Sequence, residues 1–363
     1  MGVQRLAIVG TGLIGASIGL AAQATGALVT GWDPDPAALA TAAGLGACAA
    51  SGSLGEAVDG AALVVVAAPI AALPVEVAAV LEATGEETTV TDVGSTKSGV
   101  VAAAGGSARF VGGHPMAGKE VHGAEHATAG LFEGATWFLT QSATTDPGRY
   151  KFVHDFVADL GAFPRAIAPE AHDELVALTS HLPHVVANVL VNRAGTTRMA
   201  GHEPLANAGG SFRDMTRIAG ANPALWREIF IDNADALRVE LAEHRRRIQE
   251  VEAALERGDA AFLEGWIAEA ARSRRRMLEV AYGDAGALWR VQVHVADRPN
   301  VLAEITQAFG AALINIRGFE LDHVSPERGG TLTLLVSGED EAARAQVLLE
   351  SQGYGVVIAP VLE

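Results

Sequence analysis

Arg5-Leu6-Ala7-Ile8-Val9-Gly10-Thr11-Gly12-Leu13-Ile14-Gly15 is a short apolar run that ends in a glycine-rich turn. Behind it, Ala16-Ser17-Ile18-Gly19-Leu20-Ala21-Ala22 reads as a helix of small residues. A strand, G-x-G-x-x-G and a helix, in that order, is the context in which this glycine spacing carries meaning. Gly10 makes the turn, Gly12 lets backbone N–H groups approach a pyrophosphate, and Gly15 seats the helix on the strand. A second strand, Leu28-Val29-Thr30-Gly31-Trp32, ends at Asp33, about 20 residues further on. There an acid accepts hydrogen bonds from ribose hydroxyls and repels a 2′-phosphate. The expectation is an α/β domain that binds NAD in preference to NADP.

Three further apolar runs, Ala62 to Ala68, Thr88 to Val93 and Ala108 to Val111, read as buried parallel strands. Trp137 to Thr140 and Phe163 to Ile167 are candidates to extend the sheet. Ligands of such sheets sit beyond the carboxyl ends of the strands. Leu13, Ile14 and Pro69 are read as candidate cofactor contacts beside Gly10, Gly12, Gly15 and Asp33. The Thr88 run feeds Thr91-Asp92-Val93-Gly94-Ser95-Thr96-Lys97-Ser98, and the Ala108 run feeds Val111-Gly112-Gly113-His114-Pro115-Met116-Ala117-Gly118-Lys119-Glu120. His114 is either part of a tight turn or a base presented to the cleft, since an unperturbed imidazole titrates near pH 6.5. Ser95 reads either as a helix N-cap or as a group that orients His114 or touches the nicotinamide. Lys97 reads as pairing with an acid to hold its loop.

The chain has 363 residues, 49% hydrophobic and 19% charged, with a formal net charge of −17. Such a charge argues against nucleic acid or an anionic membrane as partner. It leaves small anionic substrates open, because screening limits surface fields to roughly 8 Å at physiological salt. Cys48 is the single cysteine, which excludes an internal disulfide and fits a reducing compartment. The longest apolar stretch read from the sequence, Ala61 to Leu73, is too short to span a bilayer and contains Pro69. No signal peptide is read, so the expected location is the cytoplasm.

Beyond Ala168 the pattern becomes helical. Glu170 to Ala200 is one apolar-periodic segment in which Pro183 should kink or split the helix. Helices are expected from Asn222 to Ala254 and from Asp259 to Tyr282, with Arg245 to Arg247 and Arg274 to Arg276 as solvated faces. A helical segment of this size is expected to bury apolar surface on a second subunit. Gly209-Gly210-Ser211-Phe212-Arg213-Asp214-Met215-Thr216-Arg217 breaks the periodicity and concentrates charge. It is either a plain loop or the place where an arginine clamps a carboxylate. After Asp284 the period becomes two, and the order strand (Arg290 to Val295), helix (Val301 to Ala312), strand (Ile314 to Leu321), strand (Thr331 to Ser337), helix (Glu339 to Gln352), strand (Val356 to Val361) follows. That is βαββαβ, a ferredoxin-like module. The organisation read is a Rossmann-type domain over residues 1–167, an all-α dimerisation and substrate-binding domain over 168–285, and a regulatory module over 286–363.

Taken together, the Gly10 fingerprint, the Thr91 to Lys97 run, Gly113-His114-Pro115-Met116-Ala117-Gly118, Ser180-His181-Leu182-Pro183-His184 and Phe212-Arg213-Asp214-Met215-Thr216-Arg217-Ile218-Ala219 resemble the prephenate/arogenate dehydrogenases of tyrosine biosynthesis. The resemblance covers essentially the whole chain, and the tail resembles an ACT domain. It implies NAD-dependent oxidative decarboxylation of prephenate, with His114 and Ser95 catalytic and no metal. It further implies that Arg217 binds the ring carboxylate and that His184 and Ser180 lie near the pyruvyl end. Trp226 and Asp214 match site-lining or supporting positions, Trp226 reading as a core or interface aromatic that also borders the pocket, and Lys119 and Glu120 line the entrance. His184 reads either as a packed helix histidine or, preferred, as a site residue. His181 reads as a packed helix histidine and Arg213 as a salt-bridged or supporting surface residue. In the tail, Asp297, Pro299 and Asn300 mark an effector site for L-tyrosine, where Asn300 replaces the usual glycine. Arogenate dehydrogenase is the nearest rival. A β-hydroxyacid dehydrogenase would need a catalytic lysine on a helix, and no lysine follows Lys151. A non-catalytic amino-acid sensor is disfavoured by the presence of both Ser95 and His114.

Overall fold

The structure, a computed structural model, describes residues 3–118, 121–282, 288–325 and 329–361. Eight strands form the first sheet: β1 (Arg5–Val9), β2 (Leu28–Trp32), β3 (Ala49–Ala50), β4 (Leu63–Val66), β5 (Thr89–Asp92), β6 (Phe110–Pro115), β7 (Thr136–Thr140) and β8 (Phe163–Ala166). Their spatial order is β3-β2-β1-β4-β5-β6-β7-β8. β1 to β6 run parallel, β7 is antiparallel to β6, and β8 follows β7 in parallel. The strand order turns back between β1 and β4, which opens a crevice at their carboxyl ends. Connecting helices are α1 (Leu13–Ala24), α2 (Pro36–Gly44), α3 (Leu54–Val58), α4 (Leu73–Ala83), α5 (Ser98–Ala103) and α6 (Pro147–Asp159).

β4 explains why this sheet is written in unbroken apolar runs. Leu63 and Val65 pack in one core with Ile18 of α1 and Phe156 of α6. Val64 and Val66 pack in the other, with Val77 and Val80 of α4. A parallel strand covered on both faces has no side to spare for polar residues. β6 runs further than the apolar pattern, through Pro115, because its glycines fit a crowded position. A Cβ on Gly113 would lie 2.5 Å from the Asp92 carbonyl oxygen, and one on Gly112 would lie 2.2 Å from Thr140 Oγ1. His114 therefore belongs to a buried strand end and not to a turn.

The next helices are α7 (Pro169–Val176), α8 (Leu182–Thr196), α9 (Gly210–Thr216), α10 (Pro223–Asp232), α11 (Ala234–Arg257) and α12 (Ala260–Tyr282). Pro183 stands in the first turn of α8, where its missing N–H costs little. The chain passes from α7 to α8 through a π turn, Ala177–His181, which widens the backbone just ahead of a residue that has no N–H to give and whose ring crowds the preceding turn. The run Pro169–Thr196 is long and apolar enough to cross a membrane by length and composition. Its His172 and Asp173, however, bond to β6 and to the start of α5, which ties it to the sheet. The glycine-broken stretch after Gly209 is itself a short helix, α9, with both glycines at its amino end. The helix expected from Asn222 to Ala254 breaks at Asn233, whose amide is committed to Asp173 O and His181 Nδ1.

The chain divides into two compact units, Met1–Arg245 and Arg246–Glu363. The second unit contains β9 (Leu288–Val295), α13 (Val301–Ala311), β10 (Gly318–Ser325), β11 (Gly329–Ser337), α14 (Glu339–Ser351) and β12 (Val356–Pro360). These form an antiparallel sheet in the order β10-β11-β9-β12. Val291, Val293 and Val295 point into a core with Ile305, Phe309 and Leu349, so the period of two marks a sheet with one covered face. β10 starts at Gly318 and not at Ile314. Leu313 takes a left-handed conformation at φ 54° and Ile314 is buried in the core.

Gly15 sets how closely α1 approaches β1, because a Cβ there would lie 2.0 Å from the Gly10 carbonyl oxygen. Gly15→Ala is expected to destabilise by about 1–3 kcal/mol, as overpacking does. Gly55→Ala, with nothing within 4 Å of the added Cβ, is expected to change little. Urea unfolding of the two variants checks both.

Candidate functional site

A cleft of about 660 Å³ lies at the carboxyl ends of the strands and is walled by Gly10, Gly12, Leu13, Ile14, Asp33 and Pro69 at one end. Ser95 and His114 stand at the other end, and Asn222, Leu225 and Glu228 close one side. Gly10 adopts φ +94°, and a Cβ there would collide with the Ala67 carbonyl oxygen at 2.5 Å. Gly12 is the opposite case: nothing lies within 4 Å of an added Cβ. The amino end of α1 carries no side-chain cap, so its N–H groups face open space in front of Gly12. At the end of β2, Asp33 Oδ2 accepts from Thr11 N at 2.7 Å and from Thr11 Oγ1 at 3.2 Å, and Oδ1 accepts from Asp35 N at 2.9 Å. Free amides with a fixed acid beyond them fit the pyrophosphate and ribose of a dinucleotide.

His114 is 9% exposed. Its Nδ1 lies 2.8 Å from His172 Nε2, and His172 Nδ1 lies 2.9 Å from Asp173 Oδ1. Asp173 Oδ1 also accepts the Lys97 N–H at 2.7 Å, and Oδ2 accepts the Ser98 N–H at 2.8 Å. Burial would raise the Asp173 pKa, but the hydrogen bonds from His172, Ser98 and Lys97 outweigh it and hold the carboxylate below its usual value. Burial pushes His114 well below 6.5; His172, Lys97 and His181 push the same way, and Asp173 opposes them. The imidazole is therefore neutral at pH 7 and able to accept a proton.

Beneath His114, the fully buried Lys97 ammonium donates to Asp92 Oδ2 and, at 2.7 Å, to the Gly113 carbonyl oxygen. Burial lowers the Lys97 pKa, and Asp92 opposes the shift. Asp92 also accepts from Gly113 N at 3.0 Å and Gly94 N at 2.8 Å. The pair clamps the strand that carries His114 to the loop that carries Ser95, in the loop-holding role expected of Lys97.

Not every residue singled out in the sequence lies in the cleft. Ser95 shares the cleft with His114 but makes no hydrogen bond to it; Nδ1 is taken by His172. His184 of α8 stacks on Trp226 of α10, with ring centroids 3.4 Å apart and planes at 28°. These two rings and Ser180 lie outside the residues lining the cleft. His181 packs as expected, bonded to Asn233 at 3.1 Å and with burial lowering its pKa to about 4. Asp214 and Arg217, at the end of α9, are exposed and do not line the cleft. Arg213 donates to the Ala208 carbonyl oxygen at 3.0 Å. Lys119 and Glu120 lie outside the described residues. His172 and Asp173 were not anticipated. The signal for them was an adjacent polar pair inside an apolar-periodic segment, which needs burial to stand out from a solvated helix face.

Two family models match the chain: prephenate dehydrogenase, nucleotide-binding domain, over residues 18–164, and prephenate dehydrogenase, dimerization domain, over residues 168–269. A prephenate dehydrogenase of Bacillus subtilis is 32% identical over 359 residues, covering 96% of each chain. The crystal structure of prephenate dehydrogenase from A. aeolicus in complex with hydroxyphenyl propionate and NAD+ superposes with a TM-score of 0.71 at 29% identity, over 76% of this chain and 99% of that one. The Synechocystis arogenate dehydrogenase gives 0.70 at 26%, over 76% and 100%.

Removing the ammonium from the buried pair strands Asp92 without its counter-charge. Lys97→Ala is expected to cost about 3–5 kcal/mol, the usual penalty for breaking a buried ion pair. Guanidinium unfolding measures it, and a loss below about 1 kcal/mol would mean that the pair does not clamp the site.

Proposed function

The chain belongs to the prephenate dehydrogenase family, and from that premise we infer how its own residues carry out the NAD-dependent oxidative decarboxylation of prephenate. The observation that carries the reading is a neutral, buried histidine, His114, in the same cleft as an uncapped glycine-rich helix end and a fixed Asp33. NAD+, when bound, supplies the hydride acceptor. The N–H groups behind Gly10 and Gly12 hold the pyrophosphate, with Leu13, Ile14 and Pro69 against the dinucleotide and Asp33 on the ribose. His114 takes the proton of the substrate's C4 hydroxyl as the C4–H bond yields its hydride. The bond from the ring to its carboxylate then breaks, its electron pair completes the aromatic ring as CO2 leaves, and the proton held on His114 returns to the C4 oxygen to give 4-hydroxyphenylpyruvate. Ser95, facing the same space, hydrogen-bonds the substrate hydroxyl or the nicotinamide.

We assign Arg217 to the ring carboxylate. Its support is the family motif, an exposed guanidinium, and a position just ahead of Asn222 and Leu225, which wall the cleft. His184 and Ser180 go with the pyruvyl end, Trp226 and Asp214 support them, and Lys119 belongs to the entrance. The three-part division at residues 167 and 285 goes with these roles. Val189, Met215, Ile231 and Val239 are 60% to 70% exposed, apolar surface that supports homodimer formation through the helical segment. A cytoplasmic location goes with the reaction.

For the C-terminal module we propose an ACT domain that binds L-tyrosine. A cavity of about 320 Å³ lies beside the start of α13, lined by Asp297, Asn300 and Val301, with Leu321 and Gly330 opposite; Pro299 precedes Asn300 in the same turn. Asn300 adopts φ 70°, the left-handed geometry in which asparagine best replaces glycine. Millimolar tyrosine should raise KM or lower kcat, and a flat response would remove this assignment.

NADH formation with prephenate and with arogenate, offered separately, tests the main reading. Turnover of prephenate is expected, with His114→Asn losing about 10²- to 10⁴-fold in kcat, the worth of a positioned base. Turnover of arogenate alone would keep the mechanism and change the substrate. Inactivity with both would refute the reading.

A further inference from the structure

We propose that His172 and Asp173 are positioning residues which fix the tautomer of His114, so that the base of the sheet is completed by helix α7. The inference rests on the reading of His114 as the base. The direction of each hydrogen bond along the chain Asp173–His172–His114 is fixed by what each group can donate or accept. The Asp173 carboxylate can only accept, and it is held ionised by the two amides at the start of α5 and by His172. His172 Nδ1, 2.9 Å away, must therefore carry the proton. In a neutral imidazole the other nitrogen is then an acceptor. His172 Nε2 faces His114 Nδ1 at 2.8 Å, so His114 Nδ1 must donate. What remains is His114 Nε2 with its lone pair free, and among the described residues it makes no hydrogen bond. The proton acceptor of the reaction is thus selected from two helix residues away from the cleft, before substrate arrives.

The surroundings leave little room for the alternative. His172 is fully buried, with its ring edge-on to both His114 and Phe138, at centroid distances of 5.0 and 5.5 Å. It cannot turn its nitrogens over without breaking both bonds in a place that water does not reach. Asn233 holds the Asp173 carbonyl oxygen at 2.8 Å, and Thr96 Oγ1 donates to Asp232 Oδ2 at 2.6 Å. The backbone bearing the pair is thus fixed from α10 as well. A misplaced tautomer would present an N–H where the substrate hydroxyl needs an acceptor, and its cost falls on the chemical step and not on binding.

The test compares His172→Leu with His172→Gln, using His114→Asn as reference. Leucine cannot accept from His114 Nδ1. A glutamine side chain can accept there with its carbonyl and donate its amide to Asp173. His172→Leu is expected to lower kcat by about 10- to 10³-fold, within the range that a positioned base is worth, while KM for prephenate and for NAD+ stay within about twofold. His172→Gln is expected to recover most of the loss. A His172→Leu enzyme with wild-type kcat beside an inactive His114→Asn would overturn the relay and leave the base assignment standing. An unaffected His114→Asn would overturn both. Should the leucine variant not fold, ¹⁵N-histidine NMR of the unaltered protein decides: a proton on Nδ1 of His114 supports the relay, and a proton on Nε2 overturns it.

Discussion

The carboxylate of Asp173 is the point on which the sheet and the helical segment both depend. It satisfies the amides of Lys97 and Ser98, the N-cap and first residue of α5, where the helix has no internal partner to offer. It also accepts from His172, while its backbone oxygen takes the amide of Asn233. One buried charge thus caps a helix of the dinucleotide-binding sheet, docks α7 against it and sets the direction of the histidine pair. An isolated buried carboxylate would be costly. Here three N–H donors and a charged Lys97 nearby offset that cost, and the polar junction becomes specific because no other arrangement satisfies it.

The site uses burial in two opposite ways. At Lys97 and Asp92, burial would be ruinous for either group alone and is tolerated because each has the other. At His114, burial does the useful work: it keeps the imidazole neutral, so the group waits as an acceptor. The net charge of −17 has little part in this. Screening confines surface fields to roughly 8 Å, so within the cleft the nearest groups decide, not the field of the whole chain.

Much of this was legible in the sequence because it depends on local backbone chemistry. The Gly10 to Gly15 turn, Asp33 and the apolar runs of β1, β4 and β5 follow from steric rules that act within a few residues, and the alternation in β9 reports its single covered face directly. The seat of His114 was harder to read. Gly112 and Gly113 suggested a turn, whereas they serve a strand squeezed between two neighbours, a constraint set by Asp92 and Thr140 from other strands. His172 and Asp173 were invisible as a site because their meaning lies in contacts 58 and 75 or more residues away in the chain. Likewise the π turn ahead of Pro183 is one of several answers to the same missing N–H, and tertiary packing chooses among them.

The most direct test of the account is the pH dependence of kcat/KM for prephenate in the unaltered protein. His114 must be unprotonated to act, and burial places its titration well below 6.5. As pH falls from 7, activity should hold through 6.5 and decline only below it, along a single acid limb. A limb centred at or above 6.5 would mean that the base is an exposed, ordinary histidine, and the buried relay at the centre of this account would be wrong.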